Sequence, residues 1–151
     1  MTFKLIMDKP RILFLGTRNA TLSQMAEALM RKYAGDKYEI YSAGMQPTII
    51  DPITIQVMEE VGCKMDQACS KAYSDLISQI SFSLIITVCD DIQSLYTFSP
   101  GLSMLVSWNF SDPIVAPCQV EVKLTEFRDL RDQIDHKVVQ FLTDLKSIST
   151  P

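Results

Sequence analysis

Residues Arg11 to Glu27 read Arg-Ile-Leu-Phe-Leu-Gly-Thr-Arg-Asn-Ala-Thr-Leu-Ser-Gln-Met-Ala-Glu and carry the clearest signal of the fold. Its first five residues are an apolar run that predicts a buried strand. Thr21 with Gln24, or Ser23 alone, gives the cap signal of a helix that ends at Gly35. The apolar residues of that helix repeat at the spacing of one helix face: Met25, Ala26, Leu29, Met30 and Tyr33.

The same alternation of strand and helix signals continues along the chain. Residues 38–43 alternate like a strand, and Asp51-Pro52 caps a helix over 53–61 that ends at Gly62. Residues 83–88 and 103–108 are two apolar runs of the kind expected for buried strands. A long amphipathic helix places Phe127, Leu130, Ile134, Val138, Phe141 and Leu145 on one face. We therefore predict an α/β fold, a small parallel sheet with helices on both faces.

Length and composition restrict the class of protein. The 151 residues predict one domain spanning 1–151, and 47% hydrophobic residues with a net charge of −4 exclude disorder. There is no basic stripe, no long apolar span and no signal peptide, so we expect a cytoplasmic protein that binds neither nucleic acid nor membrane. Four scattered cysteines and a single His136 make a poor zinc set. We expect free thiols, a surface histidine and no cofactor.

Chemistry is expected in the loop 16–23, which joins the first strand to the first helix. Ligands of open parallel sheets bind at the carboxyl ends of the strands, and a helix N-terminus presents N–H groups to an anion. The loop has neither the G-x-x-x-x-G-K-[ST] nor the G-x-G-x-x-G pattern, which argues against nucleotide binding. The alternative is an ordinary turn that only closes the fold.

Several motifs in order along the chain carry a family resemblance. Besides Arg11–Glu27 they are Tyr41-Ser-Ala-Gly44, Ile55–Gly62, Ser70-Lys71, Ile86-Thr-Val-Cys-Asp-Asp91, Pro100-Gly101 and Trp108-Asn-Phe-Ser-Asp-Pro113. The sequence resembles thioredoxin-coupled arsenate reductases and the low-molecular-weight protein tyrosine phosphatases, with the reductase branch closer. The resemblance implies a low-molecular-weight phosphotyrosine phosphatase-like fold and a site for phosphate, arsenate or sulfate.

The loop that defines this family is altered here. The family carries Cys-x5-Arg, in which the thiolate attacks phosphorus or arsenic and the guanidinium holds the equatorial oxygens. The cysteine position is Gly16 and the arginine position is Leu22. Three other loop positions also differ, and three match. The residues expected to surround an anion are Thr17, Arg18, Asn19, Ala20, Thr21, Leu22 and Ser23.

Other family positions are partly kept. Cys89 matches the first of the two additional cysteines of the reductase relay, whereas the second would fall at Tyr96. Asp112 matches the general acid of the family. Three residues match a potassium site found in some reductases, namely Asn19, Glu27 and Ser42. Each of these residues also has a structural interpretation. Cys89 would be a buried thiol and Asp112 a turn residue, and the three candidate potassium ligands would only support the loop, the helix and the strand end.

Three hypotheses of function follow. The first is a pseudoenzyme, an arsenate reductase-like protein that has lost catalysis and acts as an anion-binding or regulatory module. The second is an enzyme, either an active arsenate reductase-like protein or another thiol redox enzyme working through Cys89. The third is a scaffold for protein contacts, with the partner or dimer unspecified by the sequence.

Overall fold

The computed structural model describes residues 9–88, 104–111 and 119–149. Within these ranges the elements are β1 (Arg11–Gly16), α1 (Leu22–Ala34), β2 (Glu39–Gly44), α2 (Pro52–Glu59), α3 (Tyr73–Ile77), β3 (Leu84–Thr87), β4 (Met104–Ser107) and α4 (Val120–Ser149). The four strands form one parallel sheet in the order β2-β1-β3-β4. The C-terminal residue of β1, Gly16, lies opposite Gly44 in β2.

Each face of the sheet has its own core. Ile12 and Phe14 of β1 join the larger cluster, to which α1, α2 and α4 contribute. Leu13 and Leu15 point the other way and pack with Tyr73, Leu76 and Ile77 of α3. This alternation follows from the period of two residues along a strand. The predicted parallel sheet with helices on both faces is therefore confirmed.

The helices form largely where their sequence signals place them. In α1 the buried face includes Met25, Ala26, Leu29 and Met30, and the helix is closed by Gly35. The N-cap of α2 is Asp51, whose side chain accepts a 2.9 Å hydrogen bond from the Ile53 N–H, with Pro52 as the first helical residue. The 30-residue α4 buries Phe127, Leu130, Ile134 and Val138.

Three expectations are corrected by the structure. The run 103–108 was predicted to be buried, but β4 is an edge strand of the described sheet and Met104 is 69% exposed. Tyr33 is 43% exposed, because its hydroxyl reaches out to the Asp135 carboxylate at 2.7 Å. Thr21 is the N-cap of α1, but its side chain makes no capping bond and its hydroxyl oxygen accepts from the Thr54 hydroxyl instead. The Gln24 side chain donates to the Asn19 side chain and to the Asn19 and Cys69 carbonyls.

Candidate anion-binding loop

The loop after β1 lies where an open parallel sheet has its crevice. From β1 the chain crosses to β2 on one side and later returns to β3 on the other, so β1 is the point where the strand order reverses. The loop leads directly into the N-terminus of α1. Ligands bind at such positions because N–H groups and the positive end of the helix dipole are directed into the crevice.

The loop carbonyls are held by the segment 45–51, which follows β2. Backbone N–H groups of this segment donate to the carbonyls of Gly16 at 3.1 Å, Thr17 at 2.8 Å, Arg18 at 3.0 Å and Ala20 at 3.2 Å. A trans peptide directs the N–H of the next residue to the opposite side, and no described peptide bond is cis. The N–H groups of residues 17, 18, 19 and 21 therefore point away from segment 45–51. The carbonyl groups of the loop thus face segment 45–51, and these N–H groups face away from it.

Asn19 fixes this backbone shape. Its φ is +54°, in the left-handed region that asparagine tolerates better than most residues. Its buried amide Nδ2 donates to Ser23 Oγ at 2.8 Å and to Ser42 Oγ at 2.9 Å. Its Oδ1 accepts from Gln24 Nε2 at 2.9 Å and from the Lys71 backbone N–H at 2.8 Å. The amide is thus used in positioning the loop.

The close approach of β2 to the loop depends on a glycine. A Cβ on Gly44 would lie 2.8 Å from three backbone atoms, the Thr17 oxygen, the Arg18 carbonyl carbon and the Asn19 nitrogen. Backbone atoms cannot yield as a flexible side chain can. Only glycine at position 44 lets the loop pack directly on the end of the sheet.

The two positions that the resemblance marks as altered differ in their surroundings. At Gly16 an added Cβ would lie 3.2 Å from Ser23 Oγ and 3.5 Å from Val88 Cγ2, so there is space for a small side chain after a slight shift. Leu22 is only 6% exposed and packs in the larger core cluster. Its side chain therefore belongs to the core, while Arg18 is half-buried and is the one cationic side chain within residues 16–23.

The three candidate potassium ligands lie together but already have partners. Ser42 Oγ donates to Glu27 Oε1, and the other Glu27 oxygen is 2.9 Å from Arg31 Nη2. Lys71 Nζ lies 3.7 Å from Glu27 Oε1. Two protein cations thus neutralise the carboxylate to which a potassium ion would bind. No group of three or more His, Cys, Asp or Glu residues in the described ranges is arranged to hold a metal ion.

The remaining candidates lie in different places. Cys89 and Asp112 are outside the described residues. Cys63 is buried, and burial raises the pKa of its thiol, whereas Cys69 is exposed. His136 is exposed, as predicted.

Sequence reasoning missed Gln24, Ser70 and Lys71 as supports of the loop. Ser70 Oγ donates to the Arg18 carbonyl at 3.1 Å, and the other two bind Asn19 as described above. Ser70 and Lys71 are each 52 residues away along the chain from the loop residue that they bind. A contact at that separation leaves no periodic pattern in the sequence. The Ser70-Lys71 motif in the resemblance was the one available hint.

The parallel sheet, with helices on both faces and a loop that leads from β1 into the N-terminus of α1, defines an α/β protein of the open-sheet class. The sequence model of the family described as low molecular weight phosphotyrosine protein phosphatase matches residues 11–149. The chain belongs to that family.

Similar proteins include both branches of the resemblance. An arsenate reductase of Halalkalibacterium halodurans is 33% identical over 135 residues, which cover 89% of this chain and 96% of the relative. The low molecular weight protein tyrosine phosphatase of T. tengcongensis has a TM-score of 0.73 at 17% identity and covers 90% of this chain and 99% of that one. Vibrio vulnificus Wzb, solved in complex with benzylphosphonate, has a TM-score of 0.73 at 19% identity, covering 91% and 99%. Among the described residues, no helix is both long and apolar enough to cross a membrane.

Proposed function

We propose that this protein is a non-catalytic member of the family that binds a small tetrahedral oxyanion, such as phosphate, arsenate or sulfate, in the loop 16–23. The observation that carries the proposal is the fixed orientation of the loop backbone. Four loop carbonyls are bound on one side by segment 45–51, so four N–H groups face the opposite side. Converging N–H groups at a helix N-terminus are a general solution for holding an oxyanion.

The side chains support binding more than catalysis. Gly16 offers no nucleophile at the position where the family carries its cysteine. Leu22 replaces the arginine and is buried in the core, so it supplies no charge to the oxyanion. Arg18 is the cationic side chain of the loop and the candidate partner for the anion. Loss of one donor to the oxyanion, as where Leu22 replaces the arginine, typically costs a catalytic site about 3–4 kcal/mol of transition-state stabilisation.

A relative solved with a phosphonate is consistent with this ligand class, because Wzb holds benzylphosphonate on a similar fold. The similarity to arsenate reductases makes arsenate a further ligand to test. The relevant ligand is the shared tetrahedral oxyanion, and competition among the three anions would rank them.

Two assays test the proposal. Calorimetric titration with phosphate should show saturable binding that is weakened several-fold by Arg18→Gln. The matched control is Arg11→Gln, which removes the same charge at the opposite end of β1, where Arg11 pairs with Glu39 at 3.5 Å. Arg11→Gln should leave the affinity unchanged.

The second assay measures catalysis directly. The rates of p-nitrophenyl phosphate hydrolysis and of thiol-dependent arsenate reduction should both equal the rates of a heat-inactivated sample. Gly16 has no side chain that could form the covalent intermediate. Turnover that depends on Cys89, lost in Cys89→Ser, would replace the proposal with the thiol-enzyme alternative.

A further inference from the structure

A cavity lies beside the loop, between α1 and the segment that follows α2. Its volume is about 290 Å³, near the lower end of the range for small-molecule pockets. Residues of α1 between Gln24 and Lys32 form one wall, and residues 62–65 and 67–69 with Lys71 form the other. It does not open on the anion-binding loop 16–23, although Gln24, Glu27 and Lys71 contribute both to its wall and to the hydrogen-bond network behind that loop.

The cavity is cationic on a chain that is acidic overall. Its lining includes Arg31, Lys32, Lys64 and Lys71, which are four of the 14 basic residues of a chain with net charge −4. Glu27 is the one carboxylate in the lining, and it is shared by Arg31 and Lys71. The formal charge of the lining is therefore +3. Asp66 lies in the same segment but is not part of the lining.

Three of these cations are held in place by the protein. Lys32 Nζ donates to the Val61 carbonyl at 3.1 Å, and Lys71 Nζ donates to the Cys69 carbonyl at 2.8 Å. Arg31 is fixed by Glu27 and by the Ile40 carbonyl. A lysine ammonium has three donors, so one carbonyl leaves capacity for a ligand oxygen. Donors that are already positioned lose less conformational entropy when a ligand binds.

We propose that this cavity is a second anion site, which takes a small organic anion carrying two or three carboxylate or phosphate groups. Such a ligand offers several oxygens to the Lys32, Lys64 and Lys71 ammonium groups at once. Its charge offsets the +3 of the lining, which is the complementarity that favours charged ligands in a cleft. The proposal does not depend on oxyanion binding in the loop.

The test is calorimetric titration with citrate, a tricarboxylate, at constant ionic strength. The variant is Lys32→Gln with Lys64→Gln, both at exposed positions where we expect the substitutions to preserve the fold. The matched control is Lys37→Gln with Lys146→Gln, which removes two lysines lining the separate groove between α1 and α4. Thermal melts of both double variants verify that they are folded.

We expect citrate to bind the unmodified chain, the Lys32/Lys64 variant to bind it roughly tenfold or more weakly, and the control to stay within about twofold. Equal weakening in both double variants would overturn the proposal, because it would reveal a general effect of net charge. So would the absence of citrate binding at about 10 mM. Binding that is lost in Arg18→Gln but kept in Lys32→Gln with Lys64→Gln would also overturn it, since citrate would then occupy the loop.

Discussion

A methyl group added at Gly44 would prevent the loop from packing on the end of the sheet. In Gly44→Ala the new Cβ would meet three backbone atoms at 2.8 Å, so the loop must move. We expect a loss of about 1–3 kcal/mol in the free energy of unfolding and loss of phosphate binding. Urea denaturation and phosphate titration measure the two effects.

Gly62→Ala is the control for that substitution. Gly62 has φ +84° but open space around it, so alanine there costs about 1–2 kcal/mol from backbone strain alone. Phosphate binding should survive in this variant. Retention of full phosphate affinity by Gly44→Ala would contradict the role given to the close approach.

Leu22 is the position at which the family resemblance implies an arginine, and its burial predicts a structural role. Leu22→Ala should lower the free energy of unfolding by about 2–5 kcal/mol, because it opens a cavity in the core. Leu22→Met, which conserves volume, should cost less than about 1.5 kcal/mol. Equal stability of the alanine variant and the unmodified chain in urea would show that the side chain does not pack as described.

Glu27 leads to a prediction about cations. Because Arg31 and Lys71 already neutralise its carboxylate, potassium should give no specific stabilisation. Melting temperatures in potassium chloride and sodium chloride of equal concentration should agree within about 1 °C. A higher melting temperature in potassium chloride than in sodium chloride would support a potassium site at Asn19, Glu27 and Ser42.

At the scale of the elements, local patterns predicted most of the sheet and helices. Strand β1, α1 and the cap of α2 have strong signals in contiguous residues, and the periodic apolar face identified α4. The five-residue α3 was missed because it is too short to show a helical period. The burial of β4 was overestimated because an apolar run does not reveal that its strand lies at an edge.

Besides their apolar contacts, α2 and α4 are joined by an exposed ion pair at the end of α2. Glu60 accepts hydrogen bonds from Arg128, at 2.6 to 3.2 Å, and from Arg131 Nη1 at 2.9 Å. Hydrogen bonds from Arg128, and then from Arg131, lower the pKa of Glu60 from 4.5 to about 2. A lowered carboxyl pKa means that the stabilisation is complete above about pH 4.5 and disappears as the pH falls toward 2.

The corresponding prediction concerns Glu60→Gln. The variant should unfold at lower urea concentration than the unmodified chain at pH 7, and the difference should shrink as the pH falls from 4.5 toward 2. The difference should be small, because the pair is exposed to solvent. The neighbouring exposed Glu59→Gln should show little change at any pH. A difference independent of pH would mean that the carboxylate charge is not what links the two helices.

For the molecule as a whole, the sequence placed the loop 16–23 between a strand and a helix, but it did not predict the contacts that hold the loop. The strand and helix signals on either side were sufficient to place the loop, whereas anion binding there stays a prediction. The supports come from distant parts of the chain, as Lys71 on Asn19 and segment 45–51 on the loop carbonyls illustrate. Such pairs form only when the segment before α3 meets the carboxyl ends of β1 and β2 in the folded chain.

Oxyanion binding is best tested by a thermal melt with and without about 10 mM phosphate, arsenate or sulfate, with ionic strength held constant by chloride. A site with a dissociation constant near 0.1 mM should add about 2.7 kcal/mol of stability at that excess. For a chain of this length we predict a rise of about 5–10 °C in melting temperature with the oxyanions. The same melting temperature in oxyanion and in chloride would contradict the account, because a loop that presents its N–H groups to an anion must be stabilised when the anion is present.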